Sequence, residues 1–152
     1  MLSNNSLLGY GILISILTIG GVQDWHTGEV SNWISIPLFF SGVIASFLRM
    51  LFWDDTLVSV LSFIAMTVIT LAALKGWMGG ADWKILTGLF GLWPLAGFAA
   101  LVVAGIWGGM VILLTSDHNA RFPGVTAFAL ATGLTFFMEL SIILLNRGVI
   151  FP

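Results

Sequence analysis

The chain has no cysteine among its 152 residues. Disulfides, thiolate nucleophiles, iron–sulfur clusters and cysteine-ligated zinc are thereby excluded, while the redox compartment stays open. Charge is almost as scarce, since Asp, Glu, Lys and Arg make up 8% of the residues against roughly a quarter in a soluble domain. The formal net charge of −2 comes from scattered positions, so neither nucleic acid nor any broad electrostatic partner is implied. Phosphate-loop, dinucleotide and zinc-hydrolase patterns are missing, and no internal repeat is evident. No metal and no cofactor is expected.

What fills the chain instead is apolar: 59% of the residues are hydrophobic, twelve of them phenylalanine. Such a composition describes an integral membrane protein with the lipid bilayer as its surroundings, because a helical span takes about 20 residues and only helices or closed barrels satisfy their backbone in lipid. The expected fold is all-α, a polytopic bundle of six transmembrane helices over 7–22, 33–52, 57–74, 85–92, 95–114 and 125–145, with 1–152 forming one membrane-embedded domain. The opening MLSNNS lacks the basic start of a secretory signal, so the first span reads as a retained anchor. Polar residues 23–32 read as a loop, with Asn32 capping the second span and Pro37 tolerated near its first turn. The fourth span is short and is broken at Trp93-Pro94. It must be tilted, partly buried in protein, or longer at its N-terminal end, which brings GGAD at 79–82 to membrane depth.

Orientation follows from few charges. Lys75, Lys84 and Arg121 fall in odd-numbered loops, against Arg49 and Arg147 on the other side, so the positive-inside rule puts the odd loops in the cytoplasm of a plasma-membrane protein. Tryptophans agree: Trp25, Trp33, Trp77 and Trp83 mark one interface, Trp53 and Trp93 the other. Asp24, Asp82 and Asp117 would then face the cytoplasm.

Two aspartates stand out. Asp24 closes the first apolar span, where it is either an ordinary carboxylate at a helix end or part of a site. Asp82 follows Gly79, Gly80 and Ala81, a run that lets backbone approach closely or leave helical geometry; the plainer reading is an acid at a helix start, favoured by the dipole. Brought together, two carboxylates within a few ångströms cannot both ionise cheaply. One keeps its proton and the other acts as base, which suits peptide hydrolysis by an activated water without metal or nucleophilic side chain. Glu139 inside the last span is a functional candidate by depth, or is protonated or paired within the bundle. Gly105 and Gly109 form a small-xxx-small pair expected to pack helices. His26 and His118 read as loop histidines.

Three ordered pieces resemble the type IV prepilin peptidases and archaeal preflagellin peptidases, membrane aspartyl proteases with a Gly-x-Gly-Asp signature. DWHTGEVSNWISIPL at 24–38 resembles their first aspartate motif, GGADWK at 79–84 their glycine-aspartate-x-lysine motif, and RFPGVTAFALATG at 121–133 the proline-led entry to their last helix. The departures are Ala81 in place of the second glycine and Ser31 in place of the proline before Asn32. By this resemblance Asp24 and Asp82 would be the catalytic pair, with Gly79, Gly80, Ala81, Lys84 and Asn32 as motif or supporting residues. Lys84 either tunes the local potential or anchors a helix end. The implied partners are prepilin-like or preflagellin precursors, cut on the cytoplasmic side between a short basic leader and an apolar helix. Glu29 and Asp117 are candidates to meet the leader. The methyltransferase activity of larger bacterial members is not expected without their cysteine-bearing insertion. The competing reading is a transporter, ion-pathway or assembly subunit using Asp24, Asp82 and Glu139 for cations; a haem protein would need histidines within facing helices.

Overall fold

The computed structural model describes residues 4–52, 56–116 and 122–146. Trp53, Asp54, Asp55, Asp117, His118, Arg121 and Arg147 lie outside the described residues. Among the described residues six helices follow in order: α1 Asn4–Thr27, α2 Asn32–Phe52, α3 Thr56–Leu74, α4 Gly80–Leu92, α5 Pro94–Thr115 and α6 Gly124–Asn146. Four of them, α2, α3, α5 and α6, are long and apolar enough to cross a membrane.

Local chemistry explains the ends, and three of them correct the sequence reading. The first helix does not stop at residue 22 but runs through Gln23, Asp24 and His26 to Thr27. It ends where Gly28 takes a left-handed φ of 68° and donates its N–H to the Asp24 carbonyl at 2.8 Å, a conformation that costs glycine nothing. The cap of α2 is Ser31, whose Oγ accepts the Trp33 N–H at 3.3 Å; Asn32 is already helical, which frees its side chain for another partner. The fourth helix starts at Gly80 rather than 85, so Asp82 lies in its first turn.

Helix α4 is the axis of the molecule. Every residue from Ile85 to Gly91 is buried, as expected of a helix apolar on all sides. Its 13 residues extend only about 20 Å at 1.5 Å per residue, short of a hydrocarbon core of about 30 Å. Protein covers it instead of lipid, which is why so short a helix is tolerated. Outward-facing Phe40, Leu51, Phe63, Leu113 and Phe137 are exposed, the apolar periphery that a bilayer requires.

The packing glycines are not the expected ones. Gly42 on α2 lies directly against Gly88 and Gly91 on α4, so that a Cβ on any of the three would run into backbone of the other helix. Around Gly105 and Gly109 a Cβ would meet nothing within 4 Å; that pair sits on the outer face of α5. The helices sort into two groups. One is α2 and α3 around α4; the other is α1, α6 and α5, with α1 and α5 each packed on α6. Phe90 packed on Gly97 and Phe98, and Trp93 between α4 and α5, join them.

Candidate functional site

Asp24 and Asp82 come from different groups of helices and line the same open cavity at one end of the bundle. That cavity holds about 500 Å³ between Asp24, Trp25, Gly28, Glu29, Asp82, Phe122 and Pro123. A second hollow of about 340 Å³ adjoins it, sharing both aspartates and adding Asn32, Gly79, Gly80, Ala81 and Lys84. All the residues singled out around the two aspartate motifs therefore meet here. Exposed Trp25, Trp33 and Trp77 ring the same end, as in an interfacial aromatic belt.

The N-terminus of α6 organises the pair. Asp24 is buried, and its Oδ2 accepts the backbone N–H of Val125 at 2.9 Å and of Thr126 at 3.4 Å. These are donors that the first turn of a helix leaves without intrahelical partners, and the positive end of the helix dipole adds to their pull on a negative charge. Close contact between α1 and α6 makes the reach possible: the Thr126 hydroxyl donates to the Gly21 carbonyl at 2.7 Å, and a Cβ on Gly21 would stand 3.2 Å from Thr126 Cα.

Asp82 approaches the same helix end from α4. Two glycines make room for its carboxyl, since a Cβ on Gly124 would stand 2.7 Å from Oδ1 and one on Gly79 2.8 Å from Oδ2. Gly79 is the N-cap of α4 with extended φ and ψ of −62° and 147°. Burial first, and the negative charge of Asp24 second, raise the Asp82 pKa from 3.8 to about 6. Water withdrawn from a carboxylate is replaced by nothing as polar, and a like charge nearby adds to the cost of ionising.

The motif departures fit without strain. The described left-handed residues are Gly28, Gly76 and Ser116, so Ala81, helical in the first turn of α4, asks for no conformation that alanine resists. Gly80 has no neighbour within 4 Å of a Cβ and is not required for packing. Lys84 Nζ donates to Asn32 Oδ1 at 3.3 Å, tying the start of α4 to the start of α2. Exposed Glu29 lines both hollows.

Other candidates lie elsewhere. His26 is in the last turn of α1, and among the described residues no group of three His, Asp or Glu side chains converges as a metal site. Glu139 is remote from the aspartates: its Oε1 accepts the Trp93 indole N–H at 3.2 Å. Trp93, expected at the far interface, is buried and stacks on Tyr10 with ring centroids 3.9 Å apart. Arg49, read as a topology marker, is buried too, and its guanidinium donates to the Gly91 and Leu92 carbonyls at 2.9 and 3.3 Å. It caps the C-terminus of α4, where free carbonyls and the negative dipole end favour a cation. A lone arginine in an apolar helix was the available signal for it.

Comparison with known proteins finds one family: the model of the type IV leader peptidase family matches residues 11–115. No curated protein and no solved structure matches the chain.

Proposed function

This chain belongs to the type IV leader peptidase family, and we propose that it is an aspartyl endopeptidase in which Asp24 and Asp82 activate water to remove the leader of prepilin-like or preflagellin precursors. The observation that carries this reading is the convergence of two carboxylates from separate helix groups on one open cavity, in unlike surroundings. Asp24 accepts two backbone N–H groups at a helix N-terminus, the surroundings of a base that works as a carboxylate; Asp82 holds its proton up to about pH 6. In the reaction Asp24 takes a proton from water as the water oxygen attacks the scissile carbonyl carbon, and Asp82 gives its proton to the carbonyl oxygen. Collapse of the tetrahedral adduct breaks the C–N bond, the amine leaves with the proton from Asp24, and Asp82 regains its own.

In this reading all six helices and the whole of 1–152 form one membrane-embedded unit in the plasma membrane. The carboxylate end, with Lys75 and Lys84, faces the cytoplasm. An apolar substrate helix lies along the bundle and presents its cytoplasmic end at the cavity, where exposed Glu29 offers the leader's basic residues a counter-charge. A transport role would call for acidic sites nearer the bilayer midplane, whereas both aspartates lie at a bundle end. The test is incubation of the full chain in detergent or membranes with a panel of prepilin-like and preflagellin precursors. Products cut at the junction of leader and apolar helix, identified by mass, are expected; an intact panel with well-folded enzyme would count against the reading.

Two further outcomes follow from the geometry. Asp82 works as an acid, so its useful form is lost as pH rises through about 6. The initial rate at low substrate concentration should fall about tenfold per pH unit above that value, and a flat profile from pH 5 to 8 would contradict the assignment. In Gly124→Ala the added methyl would stand 2.7 Å from Asp82 Oδ1. A carboxyl at the free end of a side chain can swing away, so the fold survives while the pair is misplaced. Cleavage should drop roughly 10- to 100-fold with the melting temperature unchanged or slightly raised.

A further inference from the structure

Asp24 and Asp82 stand on opposite sides of the seam between the two helix groups, so their spacing depends on how the groups are held together. At the cavity end the N-terminus of α6 faces both carboxylates. Besides the packing of Phe90 of α4 on Gly97 and Phe98 of α5, a further tie is at Trp93. Its backbone breaks the helix with φ and ψ of −147° and 86°, accepts from Gly97 at 3.0 Å and donates to Leu89 at 2.7 Å, so it belongs to both α4 and α5. Its side chain meets α1 and α6. The indole stacks almost parallel on Tyr10 of α1, with 11° between the rings, and donates to Glu139 Oε1 of α6.

Each member needs the others. A buried indole N–H without an acceptor is costly, as is an acidic side chain at membrane depth without a donor. Glu139 Oε2 has no hydrogen-bond partner among the described residues; Oε1 is held by the Trp93 indole, and the charges of Glu139 and of Arg49 from α2 both act on Tyr10. Trp93 lies eleven residues beyond Asp82 on α4, a rod of about 16 Å. A tilt of roughly 5° about Trp93 moves the first turn of α4 by more than ~1 Å, enough to disturb reacting groups.

On the reading of Asp24 and Asp82 as the reacting pair, we infer that Trp93, Glu139 and Tyr10 form a latch at the far end of the seam that sets the spacing of the two carboxylates. They are positioning residues and touch no substrate. Glu139→Gln keeps the acceptor oxygen; Glu139→Leu removes it while filling the volume with an apolar group that a membrane bundle tolerates.

The absence of cysteine allows a direct measurement. In the full-length chain, nitroxide labels on Trp25→Cys, exposed beside Asp24, and Gly80→Cys, in open space at the start of α4, report the separation across the cavity. The pair is combined with each Glu139 variant, and cleavage is measured separately in the label-free chain. In Glu139→Leu the distance distribution should shift or broaden by about 2 Å and kcat should fall about tenfold with KM within twofold; Glu139→Gln should match the parent in both. Parent-like distances in Glu139→Leu, a change in one readout without the other, or a Glu139→Gln variant as impaired as Glu139→Leu would overturn the latch. If the parent cleaves nothing, the aspartyl reading fails while the distance comparison still decides whether Glu139 holds the seam.

Discussion

Replacing Asp24 or Asp82 by asparagine should lower cleavage of a precursor by roughly 10²- to 10⁴-fold, the range for removal of an acid or base that works in the transition state. The two variants should differ in every respect but this. Asp24→Asn keeps a side-chain oxygen that can still accept from Val125 and Thr126, so the α6 cap is retained at reduced strength, because a neutral acceptor draws less from a helix dipole than a carboxylate does. A stability loss of about 1 kcal/mol is expected there. Asp82→Asn removes a carboxyl whose ionisation burial already opposes, so the fold should be as stable as the parent or more so above pH 6. Together the variants separate chemistry from architecture: cleavage collapses in both, while melting in detergent shifts downward only in Asp24→Asn. The double variant should be no slower than the slower single one, since two groups acting in one proton relay do not contribute additively. Full-rate cleavage by either single variant would remove that residue from the mechanism.

The largest effect on stability is expected at the α2–α4 crossing. A Cβ on Gly88 would stand 2.6 Å from the Leu38 carbonyl oxygen and 2.9 Å from its carbon, and those on Gly42 and Gly91 would press on backbone as well. Backbone within two packed helices has no rotamer with which to yield, so even Gly88→Ala must part the helices. Overpacking of this kind costs about 1–3 kcal/mol and sometimes more, and close van der Waals contact is the main force between helices in lipid. Gly88→Ala and Gly91→Ala should each lower stability by about 3 kcal/mol in thermal or denaturant unfolding in micelles. Because α4 carries Asp82, cleavage should fall with it. Gly105→Ala and Gly109→Ala are the control: nothing lies within 4 Å of either added methyl, so helix propensity alone should leave these variants equal to the parent or up to ~1 kcal/mol more stable. Equal losses at Gly88 and Gly105 would contradict the packing described for α4.

That contrast shows where sequence reading stopped. Gly105 and Gly109 have the spacing of a packing motif, yet spacing along one helix says nothing about which face another helix covers. Gly42, Gly88 and Gly91 have no such spacing as a set, because the contact lies between helices and is a property of their crossing. The same limit applies to Trp93 and Arg49. A tryptophan beside a helix break and an arginine near a helix end both have ordinary interfacial uses, and only packing makes one a core residue and the other a cap for α4.

The sequence by itself determined that this is an all-helical membrane protein, because charges are few and most of the apolar runs have the length of a helical span rather than of a barrel strand. It also determined the order of the helices within a few residues at each end, and the two aspartate motifs as the places to look. Tertiary structure decided that Asp24 is the last-turn residue of a helix rather than a loop carboxylate, that it caps α6 from more than a hundred positions away in the chain, and that Asp82 comes to the same cavity from α4. Those facts depend on contacts between residues distant in sequence, since the helix end that meets Asp24 and the glycines that make room for Asp82 are supplied by other parts of the chain.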